Sequence, residues 1–211
     1  MERKEISKSV LKRLPGYLAY LKSLPDGTAT YISATALANA LGMGEVQVRK
    51  DLSMVSGTGK PRVGYDTEIL IGQLEDCLGY NKLTLAVLVG AGRLGRALLQ
   101  YDEFQHFGVK IAAAFDSNDR VLGYDSKTEI LPMNQFADFC SEHNIELGII
   151  TVGEGSAQEV CNQMIARGIK AIWNFAPAHL DVPAGILVQN ENMATSLAVL
   201  SMHLRKQIKD K

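Results

Sequence analysis

The stretch Val87-Leu88-Val89-Gly90-Ala91-Gly92-Arg93-Leu94-Gly95-Arg96-Ala97-Leu98-Leu99 constrains the fold of this chain more than any other. An apolar run from Leu83 to Val89 reads as a buried strand. It ends in a glycine-rich turn, and a helical pattern follows at once. Strand, tight turn and helix carry glycines at the three positions of a dinucleotide-binding fingerprint. Gly90 permits the turn, Gly92 lets a pyrophosphate approach the backbone, and Gly95 lets the helix pack close to its strand. The free N–H groups and dipole at the helix start favour anionic phosphates. Gly90, Ala91, Gly92, Arg93, Leu94 and Gly95 are therefore candidate cofactor-binding residues.

A lone GxGxxG also occurs as a structural turn in other α/β proteins, so its context decides. A second apolar run, Val109 to Phe115, ends in Asp116, 26 positions after Gly90. A carboxylate at the end of the second strand bonds the adenosine ribose hydroxyls and repels a 2′-phosphate. Arg120 is near but offset. The expected cofactor is NAD(H) rather than NADP(H).

The 211 residues suffice for one large domain or two small ones, and at 46% hydrophobic they can bury a core. Net charge is −1, with no general pull toward nucleic acid. Residues 1–82 hold 11 Lys+Arg against 9 Asp+Glu, so +2, and the remainder holds 11 against 14, so −3. That split permits an N-terminal DNA module. Cys77, Cys140 and Cys161 are far apart, with no CxxC and no Cys/His cluster. They read as structural thiols in a reducing compartment, without a disulfide framework or metal site. Met1-Glu2-Arg3-Lys4-Glu5 begins a charged stretch without an apolar segment behind it, so no signal peptide is expected. No apolar stretch reaches membrane-spanning length. The expectation is a soluble cytoplasmic protein with no membrane partner.

Residues 7–24 read as amphipathic helix, with Val10, Leu14, Tyr17, Leu18 and Leu21 at helical spacing. Pro15 interrupts it and fits the first turn of a second helix. Pro25-Asp26-Gly27 is a turn. Ser33 can cap a short helix bearing Leu37 and Leu41. Gly42-Met43-Gly44 turns the chain into a second helix, Glu45 to Val55. There Val48 and Leu52 face inward, while Gln47, Arg49, Lys50 and Ser53 stay outside. This is a helix-turn-helix pattern, whose second helix enters the major groove. Arg49 and Lys50 can reach guanine edges or phosphates, and Gln47 an adenine edge. Any small helical hairpin with a solvated basic face shows the same pattern. The next segment adds support. Ser56-Gly57-Thr58-Gly59-Lys60-Pro61-Arg62-Val63-Gly64-Tyr65 suits a flexible hairpin wing, with Lys60 and Arg62 beside the duplex and Tyr65 packed at its base. A linking helix, Thr67 to Leu78, carries Ile69, Leu70 and Leu74 as its apolar stripe.

Beyond the fingerprint, Leu94, Leu98 and Leu99 lie along the first helix. Ile130-Leu131-Pro132 and a helix from Asn134 to His143 lead to a third strand, Glu146 to Val152. Thr151, Val152 and Gly153 sit at its C-terminal end, where ligands bind in such sheets. A helix from Gln158 to Arg167 ends at Gly168. A fourth strand, Lys170 to Phe175, exits through Asn174-Phe175-Ala176-Pro177, and Ile186 to Val188 is a short fifth. The last helix, Asn190 to Gln207, sets Met193, Leu197, Leu200 and Leu204 at helical spacing. Little of the domain follows it, so its apolar face suits a partner subunit. The expected fold is α/β: a winged helix-turn-helix domain over 1–80, a Rossmann-like parallel-sheet domain over 81–188, and a C-terminal dimerisation helix over 189–211.

Taken together, the chain resembles the Rex family of redox-sensing transcriptional repressors over nearly its whole length. The resemblance is carried by Arg13-Leu14-Pro15-Gly16-Tyr17, by Gln47-Val48-Arg49-Lys50-Asp51-Leu52-Ser53 and by Val63-Gly64-Tyr65. It continues through Gly90-Ala91-Gly92-Arg93-Leu94-Gly95 with Tyr101, and through Asn174-Phe175-Ala176-Pro177. It implies a homodimer with the C-terminal helix swapped between subunits, bound to an inverted-repeat double-stranded DNA operator. It also implies repression that NAD+ allows and NADH releases, with Tyr101, Asn174, Phe175 and Ala176 at the cofactor.

The chain departs from that family's pattern in places. The wing usually carries an Arg-Gly pair where Lys60-Pro61-Arg62 stands, and an aromatic pair follows the recognition serine where Met54-Val55 stands. Members with a described switch link the tyrosine to an arginine and an aspartate, whose positions here hold Ala19 and Ala194. An aspartate discriminates the cationic from the neutral nicotinamide. The alternative reading is thus a Rex-like regulator with altered redox discrimination that answers another nucleotide or effector.

Other classes fit less well. A dehydrogenase needs a general acid or base near the nicotinamide. None of His106, His143, His179 and His203 lies at a strand end beside the fingerprint, and no Tyr is followed four residues on by Lys. No catalytic residue is assigned and no enzyme is expected. The region Thr151 to Pro177 resembles CoA-binding Rossmann domains, but Asp116 and the intact glycines favour a dinucleotide. A purely structural dimer module does not account for the basic helix and wing.

Overall fold

The computed structural model describes residues 6–25, 30–125 and 127–209. The charged stretch 1–5, and Asp26 and Gly27 of the expected turn, lie outside the described residues. The chain folds as two units, residues 1–82 and 83–211.

The first unit is helical. A single turn, α1 (Lys8–Leu11), precedes α2 (Leu14–Ser23), which has Pro15 in its first turn, where a missing N–H costs nothing. The break expected at Pro15 thus divides the 7–24 stretch into two helices. Strand β1 (Tyr31–Ile32) leads to α3 (Ala34–Leu41), whose cap Ser33 accepts from the Ala36 N–H at 3.0 Å. Gly42, left-handed at φ 63°, turns the chain toward α4 (Glu45–Ser56). Strand β2 (Tyr65–Asp66) pairs antiparallel with β1, and α5 (Thr67–Leu78) closes the unit. Leu14, Tyr17, Leu37, Val48, Leu52, Leu70 and Leu74 form its core. Ile69, expected on the inner stripe, is 58% exposed. Leu70 and Leu74 already fill the inward face, and Ile69 lies about 100° round the helix from Leu70.

The second unit is a seven-stranded sheet in the order β5-β6-β4-β3-β7-β8-β9. In chain order these are β3 (Thr84–Val89), β4 (Val109–Asp116), β5 (Gly123–Asp125), β6 (Thr128–Pro132), β7 (Leu147–Ile150), β8 (Ala171–Asn174) and β9 (Leu187–Asn190). The helices are α6 (Arg93–Leu99), α7 (Phe136–Glu142), α8 (Glu154–Ala166) and α9 (Met193–Lys209). All neighbours pair parallel except β5 with β6. That edge hairpin adds an antiparallel pair to the expected parallel sheet and uses Ile130 to Pro132, which the sequence reading left unassigned. Its strands are short, and Gly123 at φ 113° starts the outer one, so hydrophobic periodicity had little to register.

Central β3 is buried on both faces, as a parallel strand must be. Val87 and Val89 join one core cluster, Ala86 and Leu88 the other. Leu83 falls before the strand and is 61% exposed. Cys140 and Cys161 are buried and none of the three cysteines is in a disulfide. Burial pushes the Cys140 thiol up to about 11, so it stays protonated at neutral pH. On α9, Leu197, Val199, Leu200, Met202 and Leu204 are exposed. No helix among the described residues is long and apolar enough to cross a membrane.

Candidate functional site

The first candidate site is the outer face of α4 with the wing. Asp51 points inward three residues after Val48 and is almost wholly buried. Arg13 meets it side-on, Nε to Oδ2 at 2.7 Å and Nη2 to Oδ1 at 2.9 Å, and the Tyr17 hydroxyl donates to Oδ2 at 2.7 Å. Burial raises the Asp51 pKa, but the Arg13 and Tyr17 donors outweigh it and leave the carboxyl below its ordinary value. The cluster pins α4 to the start of α2. Asp51 was not singled out for this, although a carboxylate on an apolar inward face calls for a cation.

Gln47, Arg49, Lys50 and Ser53 are all exposed on α4. Arg49 pairs with Glu45 one turn back, and the Ser53 hydroxyl donates to the Lys50 carbonyl at 2.7 Å. The Gln47 side-chain amide lies against the Arg13 guanidinium, about 3.1 Å from Nη1.

The wing folds as a tight hairpin across Lys60 and Gly64 and is tied into the unit. Its outer strand is β2, paired to β1, and a Cβ on Gly64 would meet the Ile32 carbonyl oxygen at 2.3 Å. Tyr65 is buried at its base. Lys60 lies over the Tyr31 ring, 5.2 Å from its centroid. Between wing and helix runs a cleft of about 410 Å³ lined by Ser33, Arg49, Ser53, Thr58, Lys60 and Arg62 among others, with no carboxylate in its lining. Gln47 and Lys50 line a separate hollow beside Arg13 and Met54.

The second candidate site follows from strand register. Val89 pairs with Phe115 on one side and Ile150 on the other. The next residues of the three strands, Gly90, Asp116 and Thr151, therefore emerge together at the C-terminal edge, where α/β sheets bind ligands. Gly90 has φ 106°, and a Cβ there would meet the Thr151 backbone at 2.8 Å. The Thr151 hydroxyl donates to the Gly90 carbonyl at 2.7 Å. The Ala91 peptide is held from both sides: its N–H donates to Asp116 Oδ2 at 2.7 Å, and its carbonyl accepts from Arg96 Nε at 3.3 Å. Asp116 Oδ1 accepts from the Asn118 N–H at 2.8 Å. Each carboxylate oxygen keeps a lone pair for a further donor.

Gly90, Gly92, Asp116, Thr151, Val152 and Gly153 line one cleft of about 670 Å³. A Cβ on Gly92 would meet nothing within 4 Å, so the turn presents bare backbone to the open cleft. Arg93 is exposed and Leu94 half-buried at the start of α6. Gly95 is buried, and a Cβ there would lie 2.0 Å from the Gly90 carbonyl oxygen. Sequence reasoning missed Ser117, Met133, Asn134, Ser156, Glu159 and Gln163 in the same lining. Met133 and Asn134 follow the unassigned β6, Ser117 sits beside Asp116, and Ser156, Glu159 and Gln163 lie along α8 beyond Gly153.

Four expected cofactor residues stand apart from that cleft. Asn174 is fully buried and bonded internally: its Nδ2 donates to Ala176 O, Ala178 O and Asn190 Oδ1, and its Oδ1 accepts from the Ala176 N–H. With Ala176 also buried, the two hold the β8 exit together, and neither lines the cleft at Gly92. Phe175 packs on Trp173 at 4.6 Å. Tyr101 stacks edge-on with Phe104 and lines a different cavity of about 160 Å³. Ala19 and Ala194 are both exposed. Among the described residues no cluster of His, Cys, Asp and Glu is arranged to hold a metal.

Two sequence families match. One, described as "CoA binding domain", covers residues 81–178, and the other, "Putative DNA-binding protein N-terminus", covers residues 5–53. The redox-sensing transcriptional repressor Rex of Clostridioides difficile strain 630 is 38% identical over 204 residues, 96% of this chain and 97% of that protein. Rex of Porphyromonas gingivalis is 40% identical over 199 residues, 93% of this chain and 90% of that protein. Among solved structures, RSP in complex with beta-NAD+ and operator DNA matches with a TM-score of 0.88 at 32% identity, covering 99% of both chains. RSP in complex with beta-NADH matches with 0.84, covering 97% of this chain and 96% of that one.

Proposed function

The chain belongs to the Rex family of redox-sensing transcriptional repressors, and we propose from that premise how its own residues bind DNA and nucleotide. It is a DNA-binding repressor that senses the NADH/NAD+ ratio, and not an enzyme. It binds its operator alone or with NAD+ and leaves it with NADH. The observation that carries this reading is the pairing, in one chain, of a carboxylate-free cationic cleft at a helix-turn-helix with a bare glycine turn braced by Asp116.

The residues fit a dinucleotide. The open space over Gly92 takes a pyrophosphate against the N–H groups that begin α6. Asp116, anchored by the Ala91 and Asn118 N–H groups, presents its remaining lone pairs to the adenosine ribose hydroxyls. Arg93 and Leu94 open α6 beside the phosphates, and Thr151, Val152 and Gly153 wall the nucleotide on its other side. The bound cofactor supplies a nicotinamide whose charge differs by one unit between its two states. Tyr101 and Phe175 serve the nicotinamide end, outside the adenosine cleft.

On the DNA side, Arg49 and Lys50 reach base edges and phosphates from α4, with Gln47 and Ser53 beside them. Lys60 and Arg62 approach the duplex backbone from the wing. The protein acts as a homodimer on an inverted repeat. The exposed row Leu197, Leu200 and Leu204 of α9 docks on a second copy, in the swapped arrangement that the family resemblance implies. It works in the cytoplasm, where its cysteines stay reduced. A regulator answering another effector is not favoured, since relatives at 36–40% identity are redox-sensing repressors.

Fluorescence anisotropy on the operator duplex of the RSP complex tests this, with no nucleotide, NAD+ and NADH in turn. Binding that survives NAD+ and is lost with NADH is the expected result. Binding indifferent to both nucleotides would leave a repressor without a redox sensor and overturn it.

A further inference from the structure

The glycine turn contains two consecutive peptide units that are held in different ways. In the first, the Gly90 carbonyl accepts from the Thr151 hydroxyl and the Ala91 N–H donates to Asp116 Oδ2, both at 2.7 Å. In the second, the Ala91 carbonyl accepts from Arg96 Nε at 3.3 Å. The Gly92 N–H at the other end of that unit has no hydrogen-bond partner among the described residues. A trans peptide is planar, and its carbonyl and N–H point in opposite directions. Whatever fixes the Ala91 carbonyl therefore aims the Gly92 N–H. Ala91 is fully buried, whereas Gly92 lines the open cleft.

Arg96 is itself placed by further acceptors. Its Nη2 donates to the Val121 carbonyl at 3.2 Å, and its Nη1 stands 3.7 Å from Asp125 Oδ2. Asp125, at the end of β5, is buried, and its Oδ2 makes no hydrogen bond among the described residues. A carboxylate taken out of water calls for a cation, and the Arg96 guanidinium supplies it. Gln100, four residues after Arg96, donates to the other oxygen, Oδ1, at 2.9 Å. Val121 and Asp125 belong to the segment that follows Asp116. One guanidinium thus ties the glycine turn to that segment, while Arg96 itself lies outside the lining of the cleft.

We infer that Arg96 is a positioning residue for the dinucleotide. By holding the Ala91 carbonyl it aims the Gly92 N–H at the pyrophosphate, and Asp125 with Gln100 keeps the guanidinium in place. The turn is then set before the ligand arrives, and binding does not have to order it. The inference rests on the nucleotide-binding reading above and names the group that readies the turn.

The test uses the full-length protein and its R96M and R96K variants, titrated with NADH and, by displacement of bound NADH, with ADP and with adenosine. ADP carries the diphosphate and adenosine does not. R96M is expected to bind NADH and ADP about tenfold more weakly than the parent, and adenosine within about twofold of it. R96K keeps the charge, but one ammonium cannot serve three separated acceptors, so it is expected to lose ADP affinity about as far as R96M. Equal losses for ADP and adenosine would show a cleft loosened as a whole and overturn the inference. Parent-like ADP affinity in R96K would show that charge alone acts at this position and would overturn it as well, as would parent-like ADP affinity in R96M. A parent protein that binds neither NADH nor ADP overturns the nucleotide-binding reading itself.

Discussion

Arg13 and Asp51, 38 residues apart in sequence, meet through two parallel hydrogen bonds of 2.7 and 2.9 Å. The contact fixes the inner face of α4 to the chain ahead of α2. Asp51→Ala removes an acceptor that three donors share and leaves the Tyr17 hydroxyl buried without it. The variant is expected to lose about 2–3 kcal/mol of stability by urea unfolding and to bind DNA more weakly, with NADH affinity unchanged. Arg13→Lys does not restore the pair, because an ammonium cannot reproduce the side-on fork.

The same cluster sets a pH dependence. Burial first, then the bond to Asp51, pushes the Tyr17 hydroxyl from 10 up to about 12. The folded state therefore favours the neutral phenol. Its contribution is complete below about pH 10 and is lost as pH rises toward 12. Asp51 is shifted the other way, below its ordinary 3.8. Its contribution is present above that value and lost as pH falls through the lower folded one. Urea midpoints between pH 9 and 11.5 should decline more steeply for the parent than for Tyr17→Phe. Parallel curves would refute the assignment.

Gly92 and Gly95 separate binding from folding. A methyl on Gly92 enters open space, so Gly92→Ala is expected to melt like the parent yet bind NADH at least about tenfold more weakly, about 1.4 kcal/mol. A methyl on Gly95 falls 2.0 Å from the Gly90 carbonyl oxygen and forces α6 away from β3. Gly95→Ala is expected to cost about 3 kcal/mol of stability. Calorimetric titration with NADH beside thermal melts of both variants distinguishes the two effects.

Asn174 gives a contrast. Its side chain makes four hydrogen bonds, all within the chain. Asn174→Ala is expected to destabilise by about 2–3 kcal/mol. NADH affinity measured well below the melting temperature should stay within about twofold of the parent. A large affinity loss without a change in melting would return Asn174 to the nucleotide.

The sequence by itself determined the elements whose periodicity is long and whose punctuation is strong. Pro15, Ser33, Gly42 and the turn Gly90 to Gly95 each mark a boundary that the backbone obeys, because φ limits and missing or orphan N–H groups act locally. The apolar runs before Gly90 and Asp116 likewise determined neighbouring strands. Short edge strands β5 and β6, with a glycine and few apolar residues, carried too weak a period to read.

Only the tertiary structure decided which candidate residues share a site. Register brings Gly90, Asp116 and Thr151 to one edge and draws in Met133, Asn134 and Gln163 from distant segments. The same folding turns Asn174 inward, sends Tyr101 to another cavity and sets the Gln47 amide against Arg13. Motif spacing reports the covalent chain. A hydrogen-bond partner is chosen by what packing places within about 3 Å, and for Asp51 that was a guanidinium 38 residues away.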